Sequence, residues 1–309
     1  MKIEHISYCL GEEQRSIRDW CVRNNSPAAL QQRFADSGLD KYFDHGDRNI
    51  DALAIGAVSK LFQDSGLSME DIDMIVYFHT QQSSVPGGGR DIGSLLNDHF
   101  NVRCQCFSIS QQNCVSSLVA LDFLQRLFKT QPHLQRVLLV GADAIGIEML
   151  RNVNGGVGFH SDGGVASTLV RDGENNKLLT TEFLSFAEHY RGMDSPPELA
   201  GVLDRQYYLA THKVISATLK KAGIAVSDLR WIFPHNVNVP GWKAIAAGIK
   251  LPEDRVFTRN IREKSHVYGC DGLINIADAM SANELQEGDY YLVFSMGYGG
   301  FFGAGAFQY

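Results

Sequence analysis

Two cysteines occupy matching positions in two similar stretches of this chain, and a cysteine thiolate is a strong nucleophile for acyl transfer. The pairs Asn113-Cys114 and Gly269-Cys270 are each followed by apolar residues at helical spacing, and the two cysteines lie 156 residues apart. Internal repeats of this kind indicate that two similar units pack together. Equivalent helix starts meet at the pseudo-twofold axis of such a pair. We therefore expect Cys114 and Cys270 to lie near each other at the bottom of one site.

Cys114 is the predicted nucleophile because of the elements that flank it. It follows a predicted strand at 107–110 and opens a predicted helix at 115–128. At a helix start, backbone N–H groups and the positive end of the helix dipole stabilise a thiolate. The same N–H groups can stabilise the oxyanion that forms when the thiolate attacks a carbonyl carbon.

His235 is the predicted acid–base partner of Cys114. It follows a predicted strand at 231–233, in the block Pro234-His235-Asn236-Val237-Asn238. A histidine at the end of a buried strand is well placed to point into a site between two halves. Its neutral imidazole can accept the thiol proton and return it later. Asn238, at the end of the same block, is predicted to contact the substrate.

A glycine-rich turn over 297–303 is predicted to complete the site. Glycine adopts positive φ angles at no steric cost and lets the backbone approach a substrate closely. We predict that Tyr298, Gly299 and Gly300 supply oxyanion or substrate contacts. The run Ser161-Asp162-Gly163-Gly164 is interpreted as a packing element beneath the site.

The repeat extends beyond the cysteines, and it divides the chain into two halves. Ser65-Gly66 matches Ala222-Gly223, and the apolar run 138–140 matches 292–294 at nearly the same spacing. We predict an N-terminal half at 1–174 with the nucleophilic cysteine and a C-terminal half at 175–309 with the catalytic histidine. Helices alternating with short strands indicate layered α/β packing. The predicted helices are 49–65, 115–128, 207–221 and 274–282; the predicted strands are 74–78, 107–110, 137–140, 163–170, 231–233, 290–294 and 303–308.

Composition excludes several classes of protein. Hydrophobic residues make up 44% of the 309, which supports a sizeable core and argues against disorder, and the net charge of −7 argues against a nucleic-acid binder. No apolar run approaches the roughly 18 residues of a membrane span. The start of the chain lacks the apolar core of a secretion signal. The six cysteines are scattered, with no metal-ligand spacing, so we expect a cytoplasmic protein with free thiols and no metal site.

The chain resembles the thiolase-fold condensing enzymes, specifically the β-ketoacyl-ACP synthase III group. The resemblance covers nearly the whole length and rests on blocks in one order: Cys114 in its strand-to-helix context, Val140-Gly141-Ala142-Asp143, the run from His160 to Ala166, Pro234 to Asn238, and Gly297 to Gly303. It implies a duplicated α/β/α/β/α five-layer fold, a homodimer, and a cysteine acylated by a thioester. It implies no permanently bound cofactor.

One departure from this group concerns the reaction. Where the group has an asparagine that helps to stabilise an enolate, this chain has Cys270, followed by Asp271. A thiol is a weak donor, and an ionised carboxylate donates nothing. Asp271 could instead orient and strengthen His235 as a base, as in hydrolytic triads. A rival assignment makes Cys270 the acid–base group, as in thiolases, and a third makes Asp271 only a helix cap.

A second departure concerns the acyl donor. The group stacks the adenine of coenzyme A with a tryptophan and an arginine, and here Gln32 and Asp36 stand at those positions. The phosphopantetheine thioester of an acyl carrier protein is therefore favoured over a coenzyme A thioester as the donor. The acceptor is predicted to be a small molecule.

Three functions follow from these residues. The first is a synthase III-like acyltransferase of polyketide or fatty-acid type biosynthesis, which moves an acyl group through Cys114 to an oxygen or nitrogen nucleophile. The second is a decarboxylative ketosynthase that forms a carbon–carbon bond. The third is a non-catalytic partner subunit of a biosynthetic complex. The intact Cys114 and His235 argue against the third, and the absent asparagine argues against the second.

Overall fold

A computed structural model describes residues 1–46, 49–80, 91–173 and 175–309 of the chain. The predicted boundary between the halves, residue 174, lies outside these residues, so that division stays a prediction. In the first part of the chain the elements are β1 (Lys2–Leu10), β2 (Glu13–Ser16), α1 (Ile17–Arg23), α2 (Ala28–Asp36), β3 (Lys41–Asp44), α3 (Ile50–Ser65), β4 (Met74–Phe78), α4 (Ile92–His99), β5 (Gln105–Ile109), α5 (Ser116–Thr130), β6 (Arg136–Asp143), β7 (Asn152–Val153), β8 (Gly158–Phe159) and β9 (Gly163–Val170).

The second part of the chain repeats this alternation of strands and helices with fewer elements. Its elements are β10 (Lys177–Ser185), α6 (Pro197–Ala222), β11 (Leu229–Phe233), α7 (Val239–Ile249), α8 (Arg259–Glu263), α9 (Asp271–Ser281), β12 (Tyr290–Gly297) and β13 (Phe301–Gln308). Short 3-10 turns at 113–115 and 268–270 precede α5 and α9, one at each repeated cysteine.

Strand order shows the duplication directly. One run of strands is β5-β4-β6-β9-β1, and the other is β11-β12-β13-β10; β1 and β10 join them through the single register pair Lys2 and Lys177. In both runs the strands at the outer end of the sheet are parallel to each other, and the two strands nearer its centre pair antiparallel. Val256 forms a parallel bridge to Ile232 at the edge of β11, where the first run has β5. The predicted thiolase-like, duplicated α/β fold is confirmed.

Helices form layers on both sides of these strands. Helices α5 and α9 lie in the middle, because each contacts strands of both runs. Helix α3 covers the outer face of β1, β6 and β9, and α6 covers that of β10 and β13. The central helices bring their two N-terminal turns together, so the turn that carries Cys114 contacts the turn that carries Cys270. The site therefore forms where the two repeats meet.

Local sequence explains where the outer helices begin and end. The side chain of Asn49 accepts a hydrogen bond from the backbone of α3, and Gly66 ends that helix with a φ of 73°. Gly223 ends α6 in the same way with a φ of 71°. Helix α6 begins ten residues before the predicted start at 207. In this added stretch Glu198, Asp204 and Arg205 are exposed, whereas Leu203 is buried.

None of the helices in the described ranges is long and apolar enough to span a membrane. All six cysteines have free thiols. In the same ranges, no group of three or more histidine, cysteine or carboxylate side chains could hold a metal ion.

Candidate active site

Cys114 lies in the 3-10 turn that leads into α5, and its residue is 6% exposed. Its backbone carbonyl accepts a hydrogen bond from the Ser295 hydroxyl at 2.8 Å. The preceding residue, Asn113, has a φ of 49°, and its side-chain amide donates to the carbonyl of Tyr298. A non-glycine residue with positive φ is strained and persists only where its surroundings hold it. These bonds hold the thiol at the start of a helix.

His266 makes the contact with the Cys114 sulfur. Its Nε2 lies 3.4 Å from Sγ, and its Nδ1 lies 2.5 Å from Oδ2 of Asp271. All three residues are buried. The order thiol, imidazole, carboxylate is that of a catalytic triad, in which the carboxylate orients the ring and the ring moves protons to and from the nucleophile.

The electrostatics of this triad favour a charged ring. Burial opposes a positive charge on His266, but the neighbouring charges of Asp271 and Cys114 outweigh it and raise the pKa of His266 to about 10. The ring of His266 therefore holds its proton at neutral pH, between the carboxylate of Asp271 and the sulfur of Cys114.

Asp271 is itself held in one orientation. Its Oδ1 accepts a hydrogen bond from the backbone N–H of Val267 at 2.7 Å, and its Oδ2 accepts from the backbone N–H of Asn236 at 2.6 Å. Asp271 is also the first residue of α9, where the helix dipole stabilises a negative charge. The carboxylate is thus fixed by two backbone donors before it orients the ring of His266.

His235 does not occupy the position that the sequence analysis assigned to it. The carboxylate of Asp271 is already bound by His266, and the rings of His235 and His266 lie 6.1 Å apart. Burial and the charge of His266 lower the pKa of His235 to about 3, which makes it a poor base at neutral pH. Its Nε2 lies 3.4 Å from the Tyr207 hydroxyl. His235 therefore contributes a neutral wall beside the triad.

Cys270 also differs from its assignment. Its side chain is fully buried in the apolar core with Val267, Leu273 and Ile274. Burial, together with the charge of Asp143, raises the pKa of this thiol well above its usual value. The two cysteine turns do contact each other, but only Cys114 lines the cavity described next, because the thiol of Cys270 lies in the core behind it.

A cavity of about 830 Å³ opens onto the Cys114 sulfur. Tyr298, Gly299 and Asn238 line it, whereas Gly300 lies behind it, where its carbonyl accepts from the N–H of Phe186. Asn238 accepts from the N–H of Gly241 and so caps α7 while forming part of the wall. About half of the remaining lining residues are aromatic or aliphatic: Ile147, Leu150, Val153, Val157, Tyr190, Leu203, Tyr207, Tyr208, Val237, Tyr268, Met296 and Phe301.

The predicted packing element at 161–164 connects to the triad through the backbone. The Ser161 N–H donates to the carbonyl of His266 at 2.9 Å. Next to it, Asp162 is fully buried and accepts two hydrogen bonds from Arg151, whose side chain is also fully buried. Breaking a buried ion pair by removing one partner is strongly destabilising, so this pair anchors the loop on which His266 depends.

Comparisons with known proteins identify sequences that are similar to this chain. A family model described as the C-terminal part of 3-oxoacyl-[acyl-carrier-protein] synthase III matches residues 219–309. The β-ketoacyl-[acyl-carrier-protein] synthase III of Aquifex aeolicus is 24% identical over 275 residues, which cover 85% of each chain. That of Synechocystis is 22% identical and covers 84% of this chain and 83% of its own. The chain is similar to the synthase III group over most of its length.

Solved structures show the same fold over the whole length. The acyltransferase ChlB3 superposes with a TM-score of 0.86 at 20% identity, covering 99% of this chain and 97% of its own. The 3-oxoacyl synthase III of Aquifex aeolicus gives 0.83 at 19% identity, covering 100% and 99%. OleA of Xanthomonas campestris gives 0.81 at 14% identity, covering 100% and 98%. The solved structures that share this fold thus include a 3-oxoacyl synthase III and a protein named as an acyltransferase.

Gln32 and Asp36 stand where the synthase III resemblance implies a tryptophan and an arginine that stack on adenine, and they form a hydrogen-bonded pair on the surface. The Gln32 amide donates to the Asp36 carboxylate at 2.8 Å, one turn along α2, and both side chains are exposed. An amide and a carboxylate offer an adenine ring no aromatic surface and no positive charge.

His266 is the site residue that the sequence analysis missed. It lies five residues before Asp271, in a turn that has no helical or strand period. Its ring reaches Cys114 because a parallel bridge holds His266 beside His160, at the point where the two repeats meet. The available signal was local: a histidine shortly before the carboxylate that opens a helix.

Proposed function

We propose that this synthase III-like chain is an acyltransferase that moves an acyl group from a thioester, through Cys114, to an oxygen or nitrogen nucleophile. The observation that carries the proposal is the continuous contact of Cys114, His266 and Asp271 at the base of a mostly apolar cavity. A triad of this composition suits two consecutive acyl transfers and needs no metal.

The first transfer loads the enzyme. The Cys114 thiolate attacks the carbonyl carbon of the donor thioester and forms a tetrahedral oxyanion. The carbon–sulfur bond to the donor then breaks, and the departing thiolate takes the proton from His266 Nε2. The products are acyl-Cys114, a free donor thiol and a neutral His266 that stays bound to Asp271 through Nδ1.

The second transfer releases the acyl group. An alcohol or amine of the acceptor attacks the acyl carbon of Cys114, and its proton passes to Nε2 of the neutral His266. The bond from the acyl carbon to Sγ breaks, which restores the thiolate and the imidazolium. Asp271 stabilises the positive ring at this step because its carboxylate lies 2.5 Å from Nδ1.

Carbon–carbon bond formation is less well supported by the same residues. Decarboxylation of a malonyl thioester needs donors on the developing enolate oxygen, and loss of one such donor costs about 3–4 kcal/mol in the transition state. Cys270 stands where the family resemblance supplies an asparagine, and its thiol lies in the apolar core. His266, bound to a carboxylate, is placed to remove a proton from an O–H or N–H group instead.

The partners of this reaction follow from the surface and the resemblance. We infer that the donor is an acyl carrier protein or coenzyme A thioester, with the carrier protein favoured because Gln32 and Asp36 replace the adenine-stacking pair. The acceptor is a small molecule, and the pathway is of polyketide or fatty-acid type. A homodimer in the cytoplasm remains our expectation from the resemblance and the composition.

A loading experiment tests this function. Purified protein is incubated with a panel of acyl carrier protein and acyl-CoA donors, and the intact mass is read together with carbon dioxide release from malonyl donors. We expect an acyl adduct that disappears in Cys114→Ala and no accelerated release of carbon dioxide. Release of carbon dioxide coupled to a longer product would favour a ketosynthase, and no adduct with any donor would favour a non-catalytic subunit.

A further inference from the structure

His160 lines the cavity with a ring whose two nitrogens differ in their hydrogen bonding. Its Nδ1 lies 3.0 Å from the carbonyl oxygen of Leu150. A carbonyl oxygen only accepts, so Nδ1 carries the proton and Nε2 carries the lone pair. His160 lines the cavity, and no described residue forms a hydrogen bond to its Nε2. Burial and the charge of His266 lower the pKa of His160 to about 3, so this nitrogen stays unprotonated at neutral pH.

Tyr268 stacks on His160 and has a strained backbone conformation. Its φ is 51°, which is unfavourable for a bulky side chain, and its ring stacks on the imidazole of His160 with centroids 4.3 Å apart and planes 17° apart. Strain of this kind persists only where the surroundings over-determine it, and it is common at functional sites. Tyr268 lines the same cavity and is 1% exposed.

The hydroxyl of Tyr268 has no hydrogen-bond partner among the described residues. A buried hydroxyl without a partner is destabilising, so native proteins rarely retain one unless a ligand or water satisfies it. Two adjacent, stacked rings that line one cavity therefore each have a polar atom with no hydrogen-bond partner among the described residues. Neither ring takes part in the triad.

Both rings lie next to the reacting atoms. Tyr268 packs against Cys114 and Ile145, and the His160 ring lies 5.3 Å from the ring of His266, between centroids. A nucleophile that gives its proton to His266 Nε2 would therefore have the His160–Tyr268 pair within reach of the neighbouring atoms of the same molecule. His235 lies 6.1 Å from His266 and contacts Tyr207, so it forms another part of the wall.

We propose that His160 and Tyr268 bind the acceptor, with His160 Nε2 accepting a hydrogen bond from a second polar group next to the attacking oxygen or nitrogen. This inference rests on the proposed acyl transfer and names the acceptor class. Because Nε2 has a lone pair and no hydrogen, the second group must be a donor. The acceptor is therefore a vicinal diol or an amino alcohol, and a simple alcohol or amine is a poor substitute.

Two substitutions separate this binding role from a structural one. His160→Asn places an amide N–H near the position of Nδ1 and so retains the bond to the Leu150 carbonyl, but it removes the acceptor at the Nε2 position. His160→Gln extends further and places an oxygen near the Nε2 position, but it loses the bond to Leu150. A merely structural role for His160 predicts that the asparagine variant is the better enzyme, whereas acceptor binding predicts the glutamine variant.

The experiment compares two matched probes on preloaded protein. Wild type, His160→Asn and His160→Gln are loaded at Cys114 with the best donor of the panel. One probe is a cyclohexane ring with hydroxyls on two neighbouring carbons, and the other is cyclohexanol. The rate of acyl transfer to each probe is measured per loaded enzyme. We expect the wild type to prefer the diol by about tenfold in kcat/KM, mainly through KM, since one hydrogen bond in a buried site distinguishes the probes. The glutamine variant should keep a diol preference, and the asparagine variant should lose it.

Equal transfer to both probes by the wild type would overturn the acceptor inference and leave the acyltransferase proposal standing. A diol preference that survives in His160→Asn would overturn it as well. The absence of any acyl adduct on Cys114 would overturn the proposed function and this inference with it. The wild-type comparison alone is decisive if either variant fails to fold.

Discussion

The proton on His266 is the feature on which the chemistry of individual residues depends. Although burial opposes it, the neighbouring charges raise the pKa of this ring to about 10, and its Nε2 lies 3.4 Å from the Cys114 sulfur. A protonated ring at that distance stabilises the negative charge that the sulfur carries when it attacks an electrophile.

Alkylation of Cys114 tests this contact. With iodoacetamide at neutral pH, we expect His266→Phe to react at least about tenfold more slowly than wild type, because the sulfur loses the protonated ring beside it. His235→Phe should react like wild type, because it is His266 that contacts the sulfur at 3.4 Å. The measurement is peptide mapping of alkylated Cys114 over time, and equal rates in wild type and His266→Phe would contradict the role of this ring.

Removing the charge of Asp271 should separate loading from transfer. In Asp271→Asn, one amide oxygen must replace two carboxylate oxygens that now accept from His266, Val267 and Asn236. The ring then loses the negative charge that stabilises it when it is protonated during transfer. We expect acyl-Cys114 to form but its transfer to an acceptor to slow by about a hundredfold or more.

A matched carboxylate lies on the same helix outside the site. Asp278 is bound to Lys264 at 2.7 Å, so Asp278→Asn removes a charge from α9 without touching the triad. Single-turnover transfer, measured by quenched-flow, should be close to wild type in this control. Normal turnover in Asp271→Asn would show that this carboxylate is structural only.

At the scale of elements, the turn before α5 depends on the end of β12. A Cβ added at Gly297 would lie 2.7 Å from the carbonyl oxygen of Gln112 and 2.8 Å from Cβ of Asn113. Backbone atoms cannot yield easily, so the turn that carries Cys114 would have to move. This close approach explains why a glycine ends the strand.

Gly297→Ala should therefore reduce both activity and stability. We expect a loss of about 1–3 kcal/mol in the free energy of unfolding, as for overpacked interiors, and at least about a tenfold loss in Cys114 loading. Gly248→Ala in α7 is the control, because an added Cβ there meets nothing within 4 Å and alanine favours a helix by about 0.5–1 kcal/mol. Urea unfolding and intact mass measure the two effects, and wild-type loading in Gly297→Ala would refute the steric role.

Much of this element arrangement was accessible from the sequence. The repeat of Cys114 at Cys270 correctly indicated that two helix starts meet, because strand and helix periods survive in both halves. The triad histidine was not accessible in this way. His266 lies in a turn, and its contact with Cys114 depends on how the two repeats dock, which no local period encodes. His235 fitted the local pattern better, although the fold leaves its ring 6.1 Å from that of His266.

At the scale of the whole molecule, three buried histidines should make the free energy of unfolding decrease both when the pH falls and when it rises. The pKa values of His160 and His235 are lowered to about 3, so the unfolded chain binds more protons there as the pH falls below about 6.5. The pKa of His266 is raised to about 10, so its stabilising contribution is complete below about pH 6.5 and is lost as the pH rises toward 10. Stability contributed by these three groups is greatest near pH 6.5.

Substituting one histidine at a time should weaken the pH dependence of stability on one side of this maximum only. In His160→Phe the decline of stability between about pH 6 and pH 4 should become shallower by about 1.4 kcal/mol per pH unit, since one proton fewer is taken up on unfolding. In His266→Phe the decline between about pH 7 and pH 9 should become shallower by a similar amount. Urea unfolding at a series of pH values checks both, and parallel profiles for wild type and variants would contradict the assigned protonation states.

The most direct measurement follows the acyl group itself. Protein loaded with a thioester donor is mixed with an alcohol or amine acceptor, and the mass of the protein and of the small-molecule product is read at successive times. We predict that the acyl mass maps to Cys114, leaves when the acceptor is added, and reappears as an ester or amide, with transfer abolished in His266→Phe. An acyl group that maps to another residue, or a product joined by a new carbon–carbon bond, would contradict the account.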